Sequence, residues 1–64
     1  MTVQAAKKLH IGEEVTMLGG LTGIITSTPT PAQTWNDGQL IDTVVMDVLT
    51  VAGDEQIDNN ILED

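Results

Sequence analysis

The chain has 64 residues, 41% of them hydrophobic, and ten acidic side chains against two lysines give it a net charge of −8. This length suffices for one small domain, and the apolar fraction is too high for a disordered acidic tail. The charge excludes a protein that binds nucleic-acid phosphates or an anionic membrane surface directly, and the absence of cysteine excludes disulfides and thiolate metal sites.

No apolar run approaches the roughly 20 residues that a membrane-spanning helix needs. The segment before His10 also lacks the apolar stretch of a signal peptide. We therefore expect a single domain over residues 1–64, located in the cytoplasm or in a virion.

The first strand is predicted just after Gly12. Residues 1–11 fit either a short helical turn or an edge strand, and Gly12 breaks that pattern. In the segment 14–18, Val15 and Met17 fall on one face, as an amphipathic strand requires.

A second strand is predicted at residues 21–28, which are rich in β-branched side chains. The preceding pair Gly19-Gly20 is a signal for a tight turn. Within the strand, Gly23 indicates a bulge or a close approach of another backbone.

A loop is predicted to follow this strand. Pro29 and Pro31 cannot donate hydrogen bonds to a β-ladder, so we expect them to end the strand. The predicted loop then contains Trp35, the only aromatic residue, and runs to an Asp37-Gly38 turn.

The longest apolar segment, residues 40–51, is predicted to be a strand because of its β-branched density. It is long for one straight strand, so we expect a bend or bulge near residues 45–47. A short return strand is predicted at 55–57, and Asp58 is a suitable N-cap for a helical turn over 59–62.

These elements predict an all-β fold, a small barrel of four to five strands with one short helical turn near the C-terminus. Such a small domain is expected to be marginally stable alone, so a partner would help it. The predicted core is aliphatic and consists of Val15, Met17, Leu21, Ile24, Ile25, Ile41, Val44, Val45, Val48, Leu49, Val51, Ile57, Ile61 and Leu62.

Residues 11–25 resemble the opening of an SH3-like barrel of the KOW type, in which glycines frame a valine-bearing strand and a β-branched pair follows. The matching residues are Gly12, Val15, Gly19, Gly20, Gly23, Ile24 and Ile25. Residues 57–63 resemble the short helical turn before a final Leu-Glu in these barrels. The resemblance implies the SH3-like scaffold. Nucleic-acid-binding members carry Lys and Arg on loops where this chain has Glu13 and Glu14, so it does not imply their role.

No coherent catalytic or metal-binding set is visible. His10 is the only imidazole, and we interpret it as a structural or surface histidine. The acids near the C-terminus do not have the spacing of an EF-hand, so we interpret them as a solvated acidic face and expect no metal. Asp42 and Asp47 are an odd number of residues apart, which places them on opposite faces of one strand. We therefore expect neither an enzyme nor a cofactor.

Trp35 has two open interpretations. Tryptophan is strongly enriched among the residues that dominate binding energy at protein interfaces. It could equally be a lid that packs back on the barrel.

The leading hypothesis is a non-enzymatic protein-binding module that acts as a small accessory or structural subunit of a larger or homo-oligomeric assembly. SH3-like barrels of this size serve in phage particles and photosynthetic assemblies, so a phage decoration or connector protein is one setting. Partners with a basic surface are those that the negative field would attract. The residues expected to bind protein are Trp35, Pro29, Pro31, Asp54, Glu55 and Asp58.

The alternative hypothesis is an acidic inhibitor that imitates nucleic acid and blocks a DNA- or RNA-binding protein. It is motivated by the charge of −8 on a small body. It predicts carboxylates along one face at the regular spacing of phosphates.

Overall fold

A computed structural model describes residues 1–64 and confirms the all-β fold class. Five strands form one antiparallel sheet, and the N-terminal segment is a short helix rather than an edge strand. The elements in chain order are α1 (Val3–Ala6), β1 (Glu14–Thr16), β2 (Thr22–Ile25), β3 (Thr30–Asn36), β4 (Gln39–Thr50), β5 (Gly53–Asp58) and a 3₁₀ turn (Asn59–Ile61).

The sheet is built around β4, because β2, β3 and β5 all pair with it. Val45 pairs with Thr30 of β3 and also with Asp58 of β5, so these two strands lie on opposite edges of β4. Val48 pairs with Ile25 of β2 and also with β5, which places β2 on the same edge as β3. β1 pairs only with β2 within the sheet.

The core lies on one face of this sheet. Alternation along β4 turns Val44, Met46 and Val48 inward, and all three are buried. The hydrophobic core consists of Ala6, Val15, Met17, Ile25, Val44, Met46, Val48 and Leu62. The predicted core was wrong at six positions that are exposed, namely Leu21, Ile24, Ile41, Leu49, Val51 and Ile61. It also missed Ala6 and Met46. Three of these errors, at Ile41, Met46 and Leu49, have one cause: β4 carries apolar residues on both faces, and only one face is covered.

The sheet is open and does not close on itself, which corrects the prediction of a small barrel. An isolated bridge between Met17 and Leu62 joins the end of β1 to the C-terminal segment. Two backbone hydrogen bonds flank it, from Leu18 N–H to Ile61 O at 2.8 Å and from Glu63 N–H to Thr16 O at 2.9 Å. Because the chain leaves β5 through the 3₁₀ turn, β5 does not continue as a strand along β1, and no continuous ladder closes the sheet.

Two local predictions are confirmed. Asp58 caps the 3₁₀ turn, because its carboxylate accepts a hydrogen bond from Asn60 N–H at 2.8 Å. Gly23 marks a close backbone approach, since a Cβ at this position would lie 2.9 Å from Leu49 O and also clash with the side chain of Val48.

A bend or bulge was predicted near residues 45–47, and β4 has no bulge there, because its register against β5 runs without a break from Val45 to Thr50. The irregularity lies in the facing segment between β2 and β3. There Thr26 N–H donates to Asp47 O at 2.9 Å, and Asp47 N–H donates to Ser27 Oγ at 2.8 Å.

Asn59 joins β4 to the N-terminal segment. Its side chain is buried, accepts a hydrogen bond from Val44 N–H at 3.0 Å and donates one to Met1 O at 2.9 Å. No buried side-chain nitrogen or oxygen lacks a hydrogen-bond partner.

The predicted loop after Pro29 is wrong, because Thr30–Asn36 forms strand β3 and pairs with β4 throughout. Pro31 lies opposite Val44, whose N–H donates to Asn59 and therefore points away from β3. In an antiparallel ladder this makes the Pro31 position a non-hydrogen-bonded one, so its missing N–H removes no ladder bond.

The Asp37-Gly38 turn is confirmed as the connection between β3 and β4. Asn36 pairs directly with Gln39, and Asp37 and Gly38 have φ of +52° and +76°. Two consecutive positive φ values are typical of the type I′ turn that joins tight β-hairpins.

Candidate protein-binding surface

The β3–β4 hairpin extends beyond the core. We call residues 33–42, all of which are exposed, the hairpin arm. In this part of β4 the strand partner is β3 alone, because β5 pairs only from Val45 onward. The protein is accordingly elongated, with principal extents of 34 × 22 × 19 Å. The end of the arm is a two-stranded ribbon with solvent on both faces.

Trp35 lies near the end of the arm, directly opposite Leu40. Directly opposed residues of an antiparallel pair project from the same face and contact each other. Trp35 is 72% exposed and Leu40 is 50% exposed. This exposure excludes the lid interpretation, since a lid on the core would be largely buried. The two side chains form an apolar patch in solvent, which we call the Trp35–Leu40 patch.

The two predicted prolines lie toward the base of the arm. Pro31 is exposed and projects from the same face as Trp35, four residues along β3. Pro29 is half-buried and precedes β3. Between the patch and Pro31, Gln33 Nε2 donates to Asp42 Oδ1 at 3.1 Å, which supplies the polar part of this face.

The arm also has unpaired backbone groups. Val44 N–H points away from β3, and backbone groups alternate in direction along a strand. The N–H and C=O groups of Leu40 and Asp42 therefore also point to the edge of β4 that faces away from β3. β5 ends before it reaches them. The edge of β4 beside the Trp35–Leu40 patch is therefore open to hydrogen bonding.

The predicted acidic residues lie on a different part of the molecule. Asp54 and Asp58 of β5 pair with Leu49 and Val45 and project away from the core, whereas Glu55 pairs with Val48 on the other side. Val45 lies five positions after Leu40 in β4, which is about 17 Å of extended strand. The predicted set therefore divides into two surfaces.

Most of the exposed hydrophobic side chains were predicted to lie in the core. Ten large hydrophobic side chains are exposed, against eight hydrophobic residues in the buried core. Three of the exposed ones, Ile24, Leu49 and Val51, lie on the outer face of the sheet near Asp54. The signal that could have identified them is the presence of apolar residues at both odd and even positions of β4. A domain this small cannot cover both faces of such a strand.

The residues with catalytic or metal-binding chemistry are dispersed. His10 is exposed, and its backbone N–H donates to the carboxylate of Glu13 at 3.1 Å. No group of three or more His, Cys, Asp or Glu side chains is arranged to hold a metal ion. No helix has the length and apolar character needed to cross a membrane.

Comparison of the chain with protein-family models, with curated proteins and with solved structures gives no match.

Proposed function

We propose that this protein is a non-enzymatic protein-binding module that acts as a small accessory or structural subunit of a larger assembly. The observation that carries the proposal is the Trp35–Leu40 patch on the projecting arm. An aromatic side chain has only two rotatable bonds, so it loses little conformational entropy when a partner covers it.

The energy available from this patch is that of an interface hot spot. A tryptophan buries about 150–250 Å² when fully covered. At about 25 cal/mol per Å², covering the 72% of Trp35 that is exposed contributes about 3–4 kcal/mol. Leu40 adds to this, because half of its side chain is exposed. Trp35 is therefore the expected hot spot of the interface.

The charge distribution supports a partner with a basic surface. The only ion pair joins the Met1 ammonium to Asp64, so the other nine carboxylates have no cationic partner within the chain. Asp54, Glu55 and Asp58 lie away from the Trp35–Leu40 patch. At that distance the acids act chiefly on the rate of association, while the patch provides affinity. A phage decoration or connector protein, in the cytoplasm or in a virion, remains one setting for such a subunit.

The competing proposal is imitation of nucleic acid, and the placement of the carboxylates favours it less. Asp54 and Asp58 are four residues apart on β5, which is about 14 Å, with the neutral Gln56 between them. Ile24 and Leu49 lie between Glu14 and Asp54 across the sheet. An imitator needs a row of charges without such apolar interruptions.

The test uses immobilised protein to capture partners from the native source and then measures binding of the captured partner. Trp35→Ala should weaken binding by about 2 kcal/mol or more, chiefly through faster dissociation. Leu18→Ala is the matched control for the arm, because Leu18 is 60% exposed but lies outside the arm.

The same measurement at two salt concentrations separates the two functions. The double variant Asp54→Asn with Glu55→Gln should slow association and flatten its salt dependence, with little effect on dissociation. Imitation of nucleic acid predicts the opposite pattern: the acidic substitutions dominate the loss of binding, DNA competes for the partner, and Trp35→Ala has no effect. That outcome would replace the proposed function. Catalytic turnover by the isolated protein would contradict both proposals.

A further inference from the structure

The outer face of the sheet has an ordered arrangement of side chains that the hairpin arm does not involve. Glu14, Ile24, Leu49 and Asp54 are successive cross-strand partners on β1, β2, β4 and β5. The residues next to Ile24 and Leu49, Ile25 in β2 and Val48 in β4, are fully buried in the core. Because side chains alternate along a strand, these four project from the opposite face. We call them the outer row.

The centre of the outer row is apolar and open. Ile24 is 37% exposed and Leu49 is 49% exposed. Val51, two residues after Leu49 and 95% exposed, borders the same shallow depression. Together these three side chains form an apolar strip that no other part of the chain covers.

The strip is bordered by negative charge only. Glu14 and Asp54 are at the two ends of the outer row, and Asp47 projects from the same face of β4. Both lysines of the chain, Lys7 and Lys8, directly follow α1 and are outside these strands. No side-chain ion pair neutralises any carboxylate of this face.

We propose that the outer row docks an extended, cationic segment of another protein, with an apolar side chain on Ile24 and Leu49 and a basic residue beside each terminal carboxylate. Three strand spacings of about 4.8 Å place Glu14 and Asp54 about 14 Å apart. Residues i and i+4 of an extended chain are also separated by about 14 Å on one face. The segment therefore has the pattern basic-x-apolar-x-basic.

Charge excludes the other occupants of this face. A second copy docked through the same face would bring its carboxylates into contact with these, and the charge of −8 repels other copies, an anionic membrane and nucleic acids alike. This docking face rests on the proposed function only in that both make the protein a binding module. It uses a different surface from the Trp35–Leu40 patch, so the two can fail separately.

The experiment is a selection with a random peptide library displayed on phage, using the intact 64-residue protein as bait. The expected result is enrichment of basic-x-apolar-x-basic peptides. The selected peptide should shift the amide NMR signals of Ile24, Leu49 and Asp54, and raised salt should weaken its binding. Asp54→Asn keeps the shape of the side chain and should weaken binding about tenfold, because it removes one of the two terminal charge pairs.

Leu49→Thr is the second test variant, because it removes the apolar contact at a half-exposed site with a residue suited to strands. It should also weaken binding about tenfold, whereas Trp35→Ala should leave it unchanged. Enrichment of acidic or uncharged peptides, a peptide that binds both outer-row variants as tightly as the parent, or no enrichment at all would overturn the inference. Self-association that Leu49→Thr abolishes would overturn it too, since the occupant would then be a second copy.

Discussion

Replacement of Asn59 by alanine should lower the free energy of unfolding by more than the replacement of a single polar residue usually does. The side chain is 4% exposed and satisfies two backbone groups, Val44 N–H and Met1 O. Its removal leaves the buried N–H of Val44 without a partner, which costs about 1–3 kcal/mol, and the lost bond to Met1 O costs about 1 kcal/mol more. The expected loss is therefore about 2–4 kcal/mol.

This loss is large relative to the stability of such a small domain. At about 0.05–0.15 kcal/mol per residue, 64 residues give a total of about 3–10 kcal/mol. Urea unfolding followed by far-ultraviolet circular dichroism measures the change. With a slope near 1 kcal/mol per molar urea, the midpoint should fall by about 2 M or more.

Asn60→Ala is the matched control, because Asn60 is the next residue of the same 3₁₀ turn and its side chain is exposed. The hydrogen bond from its backbone N–H to Asp58 does not depend on its side chain. This variant should change the free energy of unfolding by about 0.5 kcal/mol or less. If Asn59→Ala costs no more than Asn60→Ala, the two hydrogen bonds do not contribute as argued.

Three further predictions concern β2 and the hairpin arm. Gly23→Ala should lower the free energy of unfolding by about 1–3 kcal/mol, because its Cβ would lie 2.9 Å from Leu49 O. Unchanged urea unfolding would contradict that close approach. Gly38→Ala should lower thermal stability by about 1–2 kcal/mol because φ is +76°. Asp37→Asn should be neutral in the same assay, since asparagine tolerates positive φ, and equal effects of the two would argue against the turn assigned here. Trp35→Ala should change the stability of the free protein by no more than about 1 kcal/mol, and acrylamide should readily quench the fluorescence of Trp35. Unfolding of this variant would restore the lid interpretation.

The features predicted correctly from the sequence are those that depend on a few adjacent residues. The Asp37-Gly38 turn follows from the tolerance of these residues for positive φ, and the cap at Asp58 follows from its own hydrogen bond to the backbone. Strand β3 was missed because Pro31 was interpreted as a strand breaker. Its tolerance depends on the hydrogen-bond phase of the β3–β4 ladder, in which Val44 N–H points away from β3 toward Asn59, distant in sequence.

The candidate site was only partly predictable for a similar reason. Trp35 was identified by its residue type, but its exposure follows from a strand pairing that the sequence pattern did not reveal. Leu49 was assigned to the core because it lies in the most apolar segment. Whether such a residue is covered depends on the number of layers in the fold, and this property is not encoded within one strand.

The central position of β4 has a consequence for the order in which the fold assembles. Its hairpins with β3 and β5 close over two-residue connections, whereas the bond between Asn59 and Met1 joins residues 58 positions apart. Because closing a long loop costs more entropy than closing a short one, the two hairpins are expected to form first and the N-terminal segment to dock last. Native-state hydrogen exchange should then find the slowest amides in the second half of β4, where both edges are paired. Slower exchange in α1 than in β4 would contradict this order.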